Sequence, residues 1–136
     1  MLVIADTSPI NYLVSIEEVE ILPQLYGTIV IPPEVRTELL AAEGRVRLWI
    51  ADLPDWAEVR ACDPRLRDDP RWRLLDIGER AALALAAGHQ PSLLLIDERA
   101  GTEVARAEGF AVTGTLGVPF YPVFHVLRFG RGQSFR

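Results

Sequence analysis

Lysine is missing from the chain altogether, and all 14 cationic residues are arginines. That absence excludes the P-loop phosphate lysine, the Schiff base, and the lysine that receiver domains and aspartate-nucleophile phosphatases set beside their aspartates. GC-rich coding is a sufficient explanation of the bias. Cysteine is reduced to Cys62. It cannot form an internal disulfide, it has no histidine nearby, and it reads as core filler in a reducing, cytoplasmic compartment. Long apolar runs are also lacking. The longest, Ala81 to Ala87, falls far short of the ~18 residues of a membrane helix. No basic and apolar leader pattern precedes Asp6, so neither secretion nor membrane insertion is expected. Finally, there is no excess of positive charge. The net charge of -5 argues against broad nonspecific binding to nucleic acid unless metal ions supply part of the attraction.

What remains is a chain of 136 residues, 49% hydrophobic and 24% charged, long enough for one globular domain with a single core. Leu2 to Ala5, Thr28 to Ile31 and Leu93 to Ile96 are strand-like, with Trp56 to Arg60 and Phe110 to Thr113 as weaker candidates. Helical patterns alternate with them. Ser8-Pro9 reads as N-cap and first residue of one helix, and Pro32-Pro33 opens another that runs to about Glu43. Asp76 with Glu79 resembles a capping box for a helix ending near Gly88, and Asp97 caps a helix that stops at Gly109. Buried strands followed by helices predict an α/β fold: an open, mostly parallel sheet with helices on both faces.

In such sheets ligands bind outside the carboxyl ends of the strands. Leu-Val-Ile-Ala runs into Asp6 and Leu-Leu-Leu-Ile runs into Asp97. If those two strands are neighbours, two carboxylates meet at one end of the sheet. The loop after the first strand, Asp6 to Asn11, has no glycine, so the backbone cannot approach a pyrophosphate as a dinucleotide fingerprint requires, and no nucleotide cofactor is expected. A carboxylate there suits phosphate chemistry only with a divalent cation between them. Two glutamates add to the set. Glu38 falls on the rim of the stripe Val35, Leu39, Ala42. Glu79 lies at the centre of the stripe Ala82, Leu83, Ala86, where an unpaired charge costs roughly several kcal/mol. Each acid has a local alternative: N-caps for Asp6 and Asp97, a capping-box partner for Glu79, a solvated helix residue for Glu38. Four acids together repel one another unless cations occupy the cluster.

These residues sit in five stretches that together resemble a PIN domain: Val3 to Asn11, Ile31 to Glu38, Leu75 to Ala82, Leu94 to Ala100 and Val112 to Gly117. More closely, the chain resembles the VapC-like subgroup, with DTSP near the start, GE before an alanine-rich helix and TGT-LG near the end. The resemblance implies a PIN-like three-layer fold over residues 1–118. It implies a metal-dependent endoribonuclease that hydrolyses phosphodiester bonds to leave a 5′-phosphate and a 3′-hydroxyl, commonly the toxin of a toxin–antitoxin pair. Matching motif by motif assigns Asp6, Glu38, Glu79 and Asp97 as ligands for one or two Mg²⁺ or Mn²⁺ ions and as the catalytic set. Ser8, Asn11 and Thr115 match supporting polar positions; their local alternatives are an N-cap, a helix side chain and a turn residue. Two Mg²⁺ would bring the formal charge from -5 to about -1, easing the approach of RNA. Arg80 and Arg99, each beside an expected ligand, are candidate phosphate contacts. As the alternative they are surface arginines, with Arg99 placed to pair with Glu103 at i,i+4. The implied partners are an RNA substrate, a cognate antitoxin protein and a second copy in a homodimer.

The chain departs from the subgroup after TGT-LG, where relatives continue with further helices. Residues 119–136 hold four of the five phenylalanines, three arginines and no acidic residue. This aromatic, basic tail is expected to be part of the same domain, as a docking strand, or else an interface segment or a poorly ordered end. It also keeps open a second reading, a non-catalytic PIN-like module that binds RNA or a partner.

Overall fold

The computed structural model describes residues 1–108, 112–116 and 124–130, with the side chains of 112–116 outside that description. Six strands form one sheet in the order β3-β2-β1-β4-β6-β5. They are β1 (Leu2–Ala5), β2 (Ile29–Ile31), β3 (Ala57–Val59), β4 (Ser92–Asp97), β5 (Val112–Leu116) and β6 (Phe124–Phe129). β3, β2, β1 and β4 are mutually parallel, while β6 runs antiparallel to both β4 and β5. The sheet is thus open and mostly parallel, and the fold is α/β.

The helices are α1 (Thr7–Ser15), α2 (Ile21–Tyr26), α3 (Pro33–Leu40), α4 (Arg45–Ala51), α5 (Pro64–Arg67), α6 (Ile77–Gly88) and α7 (Glu98–Glu108), with a 3₁₀ turn at Pro70–Trp72. Strand alternation sends side chains to two separate cores. Val3, Ala5 and Leu95 pack with Ile10, Leu13, Val35, Leu39 and Ile50 on the face covered by α1 to α4. Ile4, Leu94 and Ile96 pack with Trp72, Leu83, Leu85 and Val104 on the face covered by the 3₁₀ turn, α6 and α7. Helices therefore flank both faces of the sheet.

Several local expectations shift. The first helix starts at Thr7 with Asp6, not Ser8, in the N-cap position. Ser8 is left inside the first turn with its hydroxyl free to turn elsewhere. The helix opened by Pro32-Pro33 stops at Leu40, short of Glu43, and Gly44, at φ 66°, redirects the chain into α4. Gly109 lies outside the described residues, and α7 is described to Glu108.

β6 comes from the aromatic, basic segment after residue 118 and fills the space between β4 and β5. It pairs along all of β4, from Asp97 opposite Phe124 to Ser92 opposite Phe129. Phe124 and Val126 are buried in one core and Leu127 and Phe129 in the other, so both faces of this strand are covered.

Candidate active site

β1 and β4 are adjacent and in parallel register, with Ala5 opposite Leu95 and the Asp6 N–H donating to the Leu95 carbonyl at 2.9 Å. Asp6 and Asp97 therefore emerge at the same end of neighbouring strands. From β1 the chain turns toward β2 and β3 on one side, and β4 lies on the other. This is the topological switch point of the sheet, the position at which open α/β sheets form their ligand crevice outside the carboxyl ends of the strands.

Asp6 occupies the N-cap position of α1, yet its side chain makes no capping bond. It is buried, and its Oδ1 has no hydrogen-bond partner among the described residues. Burial pushes its carboxyl well above the usual carboxylate range. The Thr7 backbone N–H partly offsets this, and the negative charges of Glu79, Asp76 and Glu38 add to it. The helix-cap explanation of Asp6 therefore fails, since its side chain makes no capping bond to α1 and leaves Oδ1 without a donor.

Glu38 reaches the same end from α3. Its Oε2 accepts from the Thr7 hydroxyl at 2.7 Å and its Oε1 from the Gly78 backbone N–H at 3.1 Å. A Cβ on Gly78 would sit 2.3 Å from that Oε1, so any larger residue here would push the Glu38 carboxylate aside. Glu79 is buried at the start of α6 in a complete capping box. Its Oε1 accepts from the Asp76 N–H at 2.9 Å, and its own N–H donates to Asp76 Oδ1 at 2.8 Å. Its Oε2 faces Arg99 at 3.4 Å. Burial raises the Glu79 carboxyl; the Asp76 N–H lowers it, the charges of Asp76 and Asp97 raise it further, and Arg99 lowers it. Arg99 is largely exposed, so it neutralises Glu79 incompletely. Asp97 does cap α7, accepting from the Ala100 N–H at 2.7 Å through Oδ1, while its Oδ2 faces the Ser8 hydroxyl at 3.5 Å.

Charge links the carboxylates singled out in the sequence pairwise, Glu38 and Glu79 to Asp6 and Asp97 to Glu79, and Ser8 touches Asp97. Asn11 is exposed on α1 and makes no hydrogen bond to the cluster among the described residues. The Thr115 side chain lies outside the described residues, and its backbone stands opposite His125. Arg80 leans away to Asp68 at 3.6 Å, whereas Arg99 bridges Glu79 and, at 3.9 Å, Glu103. Three participants were missed. Asp76 reads locally as a cap but adds a fifth negative charge against Asp6 and Glu79. Thr7 and Gly78 hold Glu38 from 31 and 40 residues away. The one available signal was the position of Thr7 and Gly78 directly beside Asp6 and Glu79.

Carboxylate oxygens with no sulfur or imidazole among them are hard donors suited to Mg²⁺ or Mn²⁺. The unpartnered Asp6 Oδ1 among three repelling carboxylates fits such an ion. Among the described residues no group of three or more acids, histidines or cysteines is arranged so that it could hold a metal ion as it stands. Glu38 and Glu79 are engaged by protein donors instead.

The fold and crevice define a class: an α/β domain that collects carboxylates at the switch point of a mostly parallel sheet. The model of the PIN domain matches residues 2–120, and the chain belongs to the PIN-domain family. PIN domains are generally nucleases, which makes this a nuclease-type domain, a hydrolase acting on nucleic acid; PIN-domain nucleases generally use divalent metals. No curated protein and no solved structure matches the chain. No described helix is long and apolar enough to cross a membrane.

Proposed function

We propose that the chain is a metal-dependent endoribonuclease of the VapC-like kind, the toxin of a cytoplasmic toxin–antitoxin pair, restrained by a cognate antitoxin and acting as a homodimer. The observation that carries this reading is Asp6: a buried carboxylate oxygen without a protein donor, facing other carboxylates at the switch point. Such a charge is retained at a cost that a cation would offset.

Asp6 and Asp97 would hold one or two Mg²⁺ or Mn²⁺ ions from the strand ends, with Glu38 and Glu79 completing the site from α3 and α6. A bound ion supplies acidification of water and stabilisation of negative charge on the phosphate. The protein supplies position. Thr7 and the Gly78 N–H fix both oxygens of Glu38, and the capping box fixes Glu79, so these carboxylates are oriented before substrate arrives. Any of the four, ionised, can take the proton released by the attacking water. Ser8 steadies Asp97, and Arg99 lies within reach of a phosphate that displaces it from Glu79.

A second reading, a non-catalytic module that binds RNA or a partner, draws on the engagement of Glu38 and Glu79 by Thr7, Gly78 and Arg99. Cleavage of a panel of single-stranded and structured RNAs separates the two. The nuclease cuts with Mg²⁺ or Mn²⁺, falls silent in EDTA and loses activity in Asp6→Asn. The module binds RNA and cuts nothing, and cleavage that survives in an Asp6→Asn, Asp97→Asn double variant would rule the proposed site out.

A further inference from the structure

Away from the carboxylates, the outer face of α7 leads to an apolar pocket of about 230 Å³. Its walls are Arg71, Trp72, Leu74 and Leu75 on one side and Val104 and Ala107 on the other. Arg99, Thr102, Glu103 and Arg106 stand at i, i+3, i+4 and i+7, one continuous helix face. They line a shallow depression that adjoins the pocket through Glu103 and Arg106. One end of this face is the Arg99–Glu79 contact at the acidic crevice. The other end, Arg106, lies about 10 Å further along the helix axis.

The pocket is built rather than incidental. Trp72 is buried, and its indole N–H donates to Glu108 at 2.8 Å. The Arg71 guanidinium lies 5.5 Å from the Trp72 ring centre and is held in place by Asp69 at 2.8 Å and Glu108 at 3.5 Å. Its plane is therefore fixed, while its side chain keeps a quarter of its surface open. Leu74 is 76% exposed at the rim. Arg106 is exposed and makes no ion pair among the described residues.

Resting on the ribonuclease reading above, we propose that this pocket seats one unpaired base of a single-stranded RNA, stacked on Arg71 and covered by Leu74, with Arg106 holding the adjoining phosphate. The cavity is smaller than the 300–1,000 Å³, roughly, of a drug-sized ligand site and suits one planar ring system. Arginine planes and apolar side chains are how unpaired bases are received in single-stranded recognition. The α7 face then sets the distance between the seated base and the scissile phosphate, giving the nuclease a preference at a position beside the cut.

The test is anisotropy of a fluorescent single-stranded oligoribonucleotide with the full chain in EDTA, so that binding is read without cleavage. Leu74→Ala, Arg106→Ala and Arg71→Lys are compared with the parent, with melting temperatures confirming that each folds. Each weakens binding about tenfold. Arg106→Ala also lowers the log–log salt slope by about 0.7. Arg71→Lys keeps the charge but not the plane, so its loss distinguishes stacking from attraction. Affinities within twofold of the parent in all three variants overturn the proposal. So does loss confined to binding of an amphipathic peptide, which would make the pocket a protein-docking face. Absent RNA cleavage by the parent, with these binding losses intact, contradicts the ribonuclease reading and leaves the base pocket standing.

Discussion

Two regions of this molecule are rich in acid, and they treat it oppositely. In the segment 63–71, Asp63 and Asp69 each begin the tripeptide Asp-Pro-Arg. Each accepts from the backbone N–H of the arginine two residues on, at 2.9 Å, and faces the guanidinium of that same arginine. Asp68 is gripped by Arg67 at 2.9 and 3.0 Å. The Arg65 backbone N–H lowers the Asp63 carboxyl, and the Arg67 and Arg71 side chains lower Asp68 and Asp69. At the ends of β1 and β4 burial does the reverse, raising Asp6 and Glu79. Acids that serve local structure have their cations within one or two residues along the chain. Acids held at the switch point have too few, and the fold tolerates the repulsion there.

The largest expected break in that contrast is Asp6→Asn. RNA cleavage should fall on the order of a thousandfold, while the melting temperature of metal-free protein at neutral pH rises because a buried charge is gone. A drop in both would mean that Asp6 is a structural acid. Next is Gly78→Ala. The added methyl would displace the Glu38 carboxylate and cost cleavage about 10- to 100-fold, with a destabilisation of about 1–3 kcal/mol in chemical denaturation. Unchanged activity would place Glu38 outside the working site.

Titration sharpens the contrast further. Asp6 and Glu79 keep protons in the folded chain at pH values where the unfolded chain has lost them. Their contribution to stability is full below the ordinary carboxylate pKa of about 4 and is lost as pH rises through their raised values. Asp63, Asp68 and Asp69 act with the opposite sign: their contribution is present above that ordinary value and fades as pH falls through their lowered ones. Subtracting the pH–stability curve of metal-free Asp6→Asn from that of the parent should leave a term that declines with rising pH above about 4. A difference that rises with pH would contradict the burial of Asp6. The smallest effect is expected from Asp63→Ala, a melting temperature lower by about a few degrees at most with cleavage unchanged.

Much of this architecture was legible along the chain, because apolar runs ending in Asp6 and Asp97 mark parallel strands and their carboxyl ends by local pattern alone. The inward tilt of Glu38 and Glu79 followed from helical periodicity. What was not legible depends on contacts distant in sequence. Thr7 and Gly78 clamp Glu38 only because α3 and α6 meet over the end of β1. Asp76 performs the capping role its spacing suggests and yet also loads the site with charge, and no local pattern distinguishes one duty from two. Likewise Ser8 reads as a cap from its place before Pro9, whereas the strand end at Asp6 moves the helix start forward by two residues. β6 was the hardest. Its apolar residues are those of a strand covered on both faces, but nothing in them says that it slots between β4 and β5.

The central claim is that the carboxylate cluster is held against its own repulsion for a divalent cation. Thermal unfolding of the parent and of Asp6→Asn across a Mn²⁺ titration tests it directly, since an ion that binds only the folded chain raises its melting temperature with concentration. The account predicts a saturable rise of several degrees in the parent and little or none in Asp6→Asn. No rise in the parent, or an equal rise in both, would contradict it.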